Sequence, residues 1–531
     1  MRVETMDVTG PRGRTTRSQR WWGRYLATLW LAALALRQLP LVLSGRWAGE
    51  FNADEGVYFG AAQQLIHGQW PYAHFLFVHP PGITLFLAPF AWLAELTSDP
   101  VAAGVARVAI SALGATSAVL VALLLRRYGH VAAITGSALY AVWSATVWAE
   151  YLILLEPLLA FGLLTALLLL QRGRSVAAAG AVLGLTLAVK LWAVVPLAVI
   201  GVMLLARDPG RLGVRRATAF AAGALAAVGV VLAPFLVVSG PAAVWRDVVT
   251  FQAGRPADGP PLGARLGYFN GSLLAVDRLP SAAWLILGIA ALVVATVGVI
   301  ISGREHHAIS GHDHRAALLQ SEPTWWLILA ATQLGMLLAA PSFYPHYTLA
   351  AAPALCLVIG ICAQTVADRV RTPLARRLLA GAGAVLALAM LAMSARSVGH
   401  ELAPASDWSA VAELVDAPDK VCTWAPRTHI LLEANLSGSQ ARNHCPTTID
   451  TFATVIAELG VPEDQFLTMM PQASHYQAEV ATQLAASDLA ITDAPSWTGL
   501  TPANQDTINR DFAPAATVGP YTIWKRTTPT E

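Results

Sequence analysis

PGITLFLAPFAWLAEL, residues 81–96, decides how this chain is threaded. The run is apolar, but it falls short of the ~20 residues that an upright bilayer crossing needs. It follows Pro80, begins with Pro81 and contains Pro89. It either crosses the membrane or lies in the interface, and the arginines elsewhere in the chain choose between the two.

Eleven other apolar runs read as spans: 25–44, 100–125, 131–149, 152–170, 175–190, 191–206, 217–239, 281–301, 324–340, 346–365 and 378–396. If 81–96 does not cross, the loops on the N-terminal side carry Arg126 and Arg127, Arg172 and Arg174, RDPGRLGVRR at 207–216, Arg304 and Arg315, and DRVRTPLARR at 368–377. All the short basic loops then face the cytoplasm, as the positive-inside rule asks. If 81–96 crosses, every later loop inverts and only the N-terminal tail obeys. The run is therefore read as an interfacial or re-entrant helix.

Composition agrees with this threading. The chain is 55% hydrophobic and 13% charged over 531 residues, against about a quarter charged in soluble domains, which excludes a soluble fold. The net charge of +2 points to no particular partner, and no basic block with interleaved aromatics suggests nucleic acid. The predicted fold class is an α-helical polytopic membrane bundle with a small exported α/β domain. Three regions follow: a disordered basic cytoplasmic tail at 1–24, a transmembrane domain at 25–396 and an extracytoplasmic α/β domain at 397–531. In the last, strands are expected at 419–424, 440–445, 488–492 and 520–525, with helices at 427–437, 449–459, 475–487 and 502–512. Cys422 and Cys445 fall on neighbouring expected strands in an oxidising compartment, either as a disulfide or as two buried thiols. Cys356 and Cys362 sit in a span as packing residues.

With this parity, the outer side receives residues 45–99, Glu150 and Tyr151, the loop 240–280, PSFYPHY at 341–347 and the C-terminal domain. The segment FNADEGVYFGAAQQLIHGQWPYAHFLFVHPPG, residues 51–82, carries the most chemistry. Asn52 or Asp54 caps a helix over 55–67; alternatively, Asp54 takes the proton from an acceptor hydroxyl as that hydroxyl attacks an anomeric carbon. Glu55 would orient Asp54 or a substrate hydroxyl. Glu156, in YLILLEPLLAFGLLTALLLL, is costly inside a span unless it faces the bundle interior or water, so it is either a site acid or a Glu paired with a neighbouring helix's Arg or backbone, with Pro157 producing a kink. Arg37, Arg107 and Lys190 share the outer half of the bundle. They either snorkel to headgroups or hold a donor phosphate. His79, His346 and Tyr347 either anchor at the interface or bond phosphate or sugar. His306, His307, His312 and His314 are irregularly spaced in a polar cytoplasmic loop and read as solvated rather than as a metal site.

These residues resemble the polytopic, lipid-phosphate-sugar-dependent glycosyltransferases of superfamily C, which include protein O-mannosyltransferases and bacterial enzymes that modify lipid A and envelope glycans. The resemblance rests on Arg37, the acidic pair Asp54 and Glu55, Gly68 with Pro71 and Tyr72, HPPG at 79–82, Arg107, LEPLL around Glu156, GLTLAVK ending at Lys190, and PHYTLAAAPAL from Pro345. It implies Asp54 as base, Glu156 as a second acid, a polyprenyl-phosphate sugar as donor and inversion at the anomeric carbon. It implies as partners an envelope glycan, glycolipid or protein acceptor and membrane lipid. No cofactor is demanded, and a divalent metal is left open. Several relatives carry Asp where Glu156 stands, so Glu156 either touches substrate or only orients Asp54. High Ala, Val and Arg use suggests a GC-rich bacterial genome. Three other readings remain: a lipid or polysaccharide transporter, disfavoured because no inverted repeat is visible, a nonenzymatic membrane scaffold, and a ligase using a lipid-diphosphate glycan donor.

Overall fold

The computed structural model describes residues 17–208, 210–269, 280–307, 319–400, 406–415 and 421–527. Among these, six helices are long and apolar enough to cross a membrane, or seven if the pair His130–Val142 and Ser144–Glu150, bent by 52°, forms one span. The chain is a membrane protein. The helices Arg211–Ser239, Ser281–Ile301 and Pro373–Ser394 bury little of their apolar surface inside the protein, the pattern expected where lipid rather than protein covers the side chains.

Helix α1 (Arg17–Leu43) begins inside the stretch predicted as a disordered tail. The reason is aromatic packing, since Trp22 stacks on His130 at 5.2 Å and Trp21 on Tyr25 at 5.6 Å. Residues 1–16 lie outside the described residues. Next come α2 (Ala53–Ile66), α3 (Gly82–Ala94), α4 (Asp99–Leu125), α5 (His130–Val142), α6 (Ser144–Glu150) and α7 (Glu156–Gln171). At 1.5 Å per residue the 13-residue α3 spans only about 20 Å, less than the hydrocarbon thickness of ~30 Å.

Apolar helices stand on the runs 152–170, 175–190 and 191–206, with ends that differ from those read in the sequence. Helix α7 starts only at Glu156, because Pro157 fits a first helical turn and not an interior one. Helix α8 (Val176–Leu187) stops short of Lys190, which is extended at φ −149° and ψ 133° before a 3-10 turn at Leu191–Ala193. Helix α9 (Val194–Arg207) follows. These helices have 16, 12 and 14 residues, each shorter than the ~20 of an upright crossing. The irregular backbone around Lys190 is buried in protein and satisfied there, with Lys190 N donating to Thr186 O and Ala188 O accepting from Gly82 N, which is how irregular structure is tolerated at membrane depth.

The C-terminal unit holds a four-stranded sheet in the order β1-β2-β4-β3, made of β1 (Thr423–Trp424), β2 (Leu489–Thr492), β3 (Phe512–Val518) and β4 (Tyr521–Arg526). The β1–β2 pair is parallel and the other two are antiparallel. The strand expected at 440–445 is instead the end of a helix, Ser437–Arg442. Its Gln440 side chain takes the place of a neighbouring strand, accepting from Thr423 N at 2.9 Å and donating to Val421 O at 3.1 Å. Cys422 and Cys445 are joined as a disulfide.

This unit sits directly on α2. A Cβ on Gly56 would lie 2.2 Å from the backbone N of His429, so no larger residue fits where the two pack. Gly438 N and the Gln63 amide donate to Asp99 at 2.9 and 2.6 Å. Asp99 N donates to Asn435, and Phe51 N donates to Glu433 at 2.9 Å.

Candidate active site

The N-terminus of α2 is built by a capping box. Asn52 Oδ1 accepts from Glu55 N at 2.9 Å, and Glu55 Oε2 accepts from Asn52 N at 3.0 Å. Asn52 is thus the cap, which leaves the Asp54 carboxylate free of that duty. Asp54 faces a cavity of ≈ 480 Å³ between the membrane helices and the C-terminal unit. The same cavity is lined by His79, Lys190, His346 and Tyr347, all singled out from sequence, and by Tyr58, Arg255, Tyr344, Arg427 and Asp450.

The pieces arrive from distant segments through close backbone approaches. Gly82 N donates to Ala188 O at 2.7 Å, and a Cβ on Gly82 would lie 2.5 Å from that oxygen. The glycine of HPPG therefore lets the His79 side of the cavity close against the Lys190 side. Tyr72 OH donates to His79 O at 2.6 Å, and Tyr58 OH lies 3.4 Å from His79 Nε2.

Lys190 is 7% exposed and forms an ion pair with Glu156. Its ammonium stands 4.1 Å from the Trp192 ring centroid and 4.3 Å from that of Tyr347, a cation–π cage that steadies a charge in a water-poor place. Arg255 donates to Tyr344 OH at 2.8 Å. Burial pushes the Asp54 carboxyl up to about 7, with the carboxylates of Asp450 and Glu156 adding to the rise and Lys190 and Arg255 opposing it. Burial also holds His79 well below the usual imidazole range, aided by Lys190, Arg255 and His346, so at neutral pH it is a neutral hydrogen-bonding group. A base near 7 and a fixed ammonium around one cavity can take a proton on one side while bearing negative charge on the other.

Arg37, Arg107 and Glu55 do not line this cavity. Arg107 uses all five donors, on both oxygens of Glu55 and on the carbonyls of Arg46, Gly49 and Glu50. Glu55 also accepts from Ile153 N at 2.9 Å. Arg37 binds Glu150 at 2.8 Å and the carbonyls of Ala33 and Ala141, while Tyr140 OH donates to the other oxygen of Glu150. The Arg107–Glu55 pair fixes the backbone next to Asp54, and the Arg37–Glu150 pair ties α1 to α6.

Asp450 and Arg255 were missed from sequence. Asp450 caps the helix Thr451–Leu459, accepting from Ala453 N at 2.8 Å, and burial raises its carboxyl. No group of three or more His, Cys, Asp or Glu side chains able to hold a metal occurs among the described residues. His312 and His314 lie outside them.

A model of glycosyltransferase family 87 matches residues 77–316, a region that takes in His79, Arg107, Glu156 and Lys190 but begins after Asp54. The apo structure of ArnT from Cupriavidus metallidurans aligns with a TM-score of 0.57 at 14% identity, covering 96% of this chain and 98% of that one. The structure of the same protein bound to undecaprenyl phosphate aligns at 0.55 with the same identity and coverage. The apo oligosaccharyltransferase of Archaeoglobus fulgidus aligns at 0.54 and 15% identity, over 97% of this chain and 75% of that one. Identities this low speak for the fold. No curated protein matches the sequence.

Proposed function

We propose that this chain is a membrane glycosyltransferase of superfamily C, a reading supported by the family 87 match and the shared fold, and that it transfers a sugar from a polyprenyl-phosphate donor to an envelope glycan, glycolipid or protein acceptor on the outer face. The acceptor hydroxyl attacks the anomeric carbon and gives its proton to Asp54. The bond from that carbon to the phosphate oxygen breaks, and the oxygen leaves with the electron pair toward Lys190. Attack from the face opposite the phosphate inverts the anomeric carbon.

The observation that carries this reading is the shared cavity. Asp54 and Lys190 line one cavity, and the Asp54 carboxyl at about 7 is poised to accept a proton near neutrality. Arg255, His79, His346 and Tyr347 supply further donors for phosphate or sugar oxygens. Glu156 neutralises Lys190 before the donor arrives, so it acts through the ammonium and keeps it desolvated and in position. Support for the donor class comes from ArnT, whose structure holds undecaprenyl phosphate.

The test supplies purified protein with polyprenyl-phosphate mannose, arabinose and glucose carrying labelled sugar, plus native membranes as acceptor. Label should enter glycan or lipid with wild type and not with Asp54→Asn. Transfer only from a lipid-diphosphate glycan would replace this reading with a ligase, and equal transfer by both proteins would remove Asp54 from the chemistry.

A further inference from the structure

A second, larger cavity of ≈ 670 Å³ opens beside the first. Its walls are the turn after α2, with Tyr72 and Phe75, the segment holding Arg246 and Asp247, and the C-terminal unit. Ile449 lines both cavities, and Asp450 follows it in the chain, so the two spaces meet at one side chain.

Three observations converge on this space. Asp247 is 1% exposed, and its Oδ2 finds no hydrogen-bond partner among the described residues. A buried carboxylate oxygen left empty is costly and calls for an explanation. Its other oxygen accepts only from Arg246 Nε at 2.7 Å, and that arginine side chain is 66% exposed. Second, Arg246–Thr250 forms a π-helical turn, a geometry that recurs at functional sites because it re-aims side chains at the cost of regular bonding. Third, Tyr72, on the opposite wall, holds φ at +68°, an unfavourable conformation for an aromatic residue that persists only where its surroundings impose it.

The chemistry of the walls selects an occupant. Carboxylates of Asp247, Glu458 and Glu479 line the space with His74, His475 and Thr482. Glu458 is held by Ser474 and the backbone N–H groups of His475 and Tyr476, and Glu479 by Thr448 and His475, so Asp247 is the acceptor left open. Ionised carboxylates only accept hydrogen bonds, so they suit a ligand rich in hydroxyl donors and repel phosphates and anionic headgroups. Tyr72 and Phe75 add aromatic surface on which a sugar ring can lie. We infer that this cavity is the acceptor subsite and that it takes a neutral glycan chain. Asp247 is the specificity-determining residue: Arg246 swings outward, and the uncovered carboxylate receives hydroxyls of the sugar ring behind the reacting one. The terminal hydroxyl then reaches past Ile449 to Asp54. This assignment rests on the transfer reading above and narrows its acceptor to carbohydrate.

The experiment uses the full chain in lipid nanodiscs and labelled neutral trisaccharides of mannose, arabinose and glucose as probes, with undecaprenyl phosphate as a separate donor-side probe. At least one trisaccharide should bind. Asp247→Asn should weaken that binding tenfold or more, and Thr482→Arg, which fills the cavity from an exposed helix position, should abolish it. Binding of undecaprenyl phosphate should be unchanged in both variants, which reports that they are folded. Failure of all three trisaccharides to bind, binding indifferent to both variants, or capture of a lysine-rich peptide in their place would overturn the inference. Saccharide binding lost in the variants, without transfer from any polyprenyl-phosphate sugar, would leave the subsite standing and remove the donor reading.

Discussion

Arg107 grips both carboxylate oxygens of Glu55, at 2.7 and 2.6 Å, with both side chains buried. The pair ties α4 to the first turn of α2, so the residue before Glu55 is presented to the cavity from a fixed backbone. Removing one partner strands the other in a water-poor interior at a cost of about 3–5 kcal/mol. Arg107→Ala should therefore lower the unfolding temperature of detergent-purified protein and depress transfer together. A variant that keeps full thermal stability would show the pair to be dispensable.

Asp54→Asn should behave oppositely. The substitution preserves shape and the Asn52 cap, so melting should stay at the wild-type value while transfer falls about 10²–10⁴-fold, the span expected when a general base is lost. Parallel melting and single-turnover assays separate the two effects.

The pH profile follows from the charges around Asp54. Its carboxyl sits at about 7 and must be ionised to accept a proton, so kcat/KM should rise with pH through that region. Asp450 is the largest charge raising this value; Asp450→Asn keeps the helix cap and should move the rising limb to lower pH. Arg255 opposes the rise, and Arg255→Gln should move the limb upward. Shifts in the reverse directions would mean that another group titrates.

Lys190 and Glu156 should separate structure from binding. Lys190→Met alone leaves Glu156 charged and buried, and should destabilise the protein. Adding Glu156→Gln should restore most of the melting temperature but not binding of undecaprenyl phosphate, measured by labelled-lipid capture. Recovery of both would remove Lys190 from the donor site.

Docking of the C-terminal unit should weaken as pH rises. Burial pushes the Glu433 carboxyl up to about 7 from an ordinary 4.5, while the Phe51 N–H and Trp408 oppose the rise. A raised folded-state value stabilises the docked form fully below about 4.5, and this contribution is lost as pH climbs through 7. Protease cleavage between the membrane helices and the C-terminal unit should increase over that window, and Glu433→Gln should flatten the dependence.

The sequence exposes one side of the cavity better than the other. Asp54, His79, Lys190, His346 and Tyr347 stand out because a polar group at the edge of an apolar run is costly and asks for a reason, and all five line the cavity. Arg37 and Arg107 stand out by the same rule, yet they turn to buried carboxylates, Glu150 and Glu55, a choice that depends on neighbours supplied by other helices. Asp450 reads locally as an ordinary helix cap. Arg255 lies in a Gly- and Pro-rich loop with no periodicity to place it. Strand β3 has Pro514 in it and lacks regular alternation; it is tolerated because β3 is an edge strand paired only with β4.

The contact between Gly56 and His429 has a consequence for how the molecule comes into being. Asp450 and Arg427 wall the cavity from the last part of the polypeptide, whereas Asp54 emerges near its beginning. The cavity is therefore complete only once the C-terminal unit closes onto Gly56 through His429, so its far wall is the last part of it to be made.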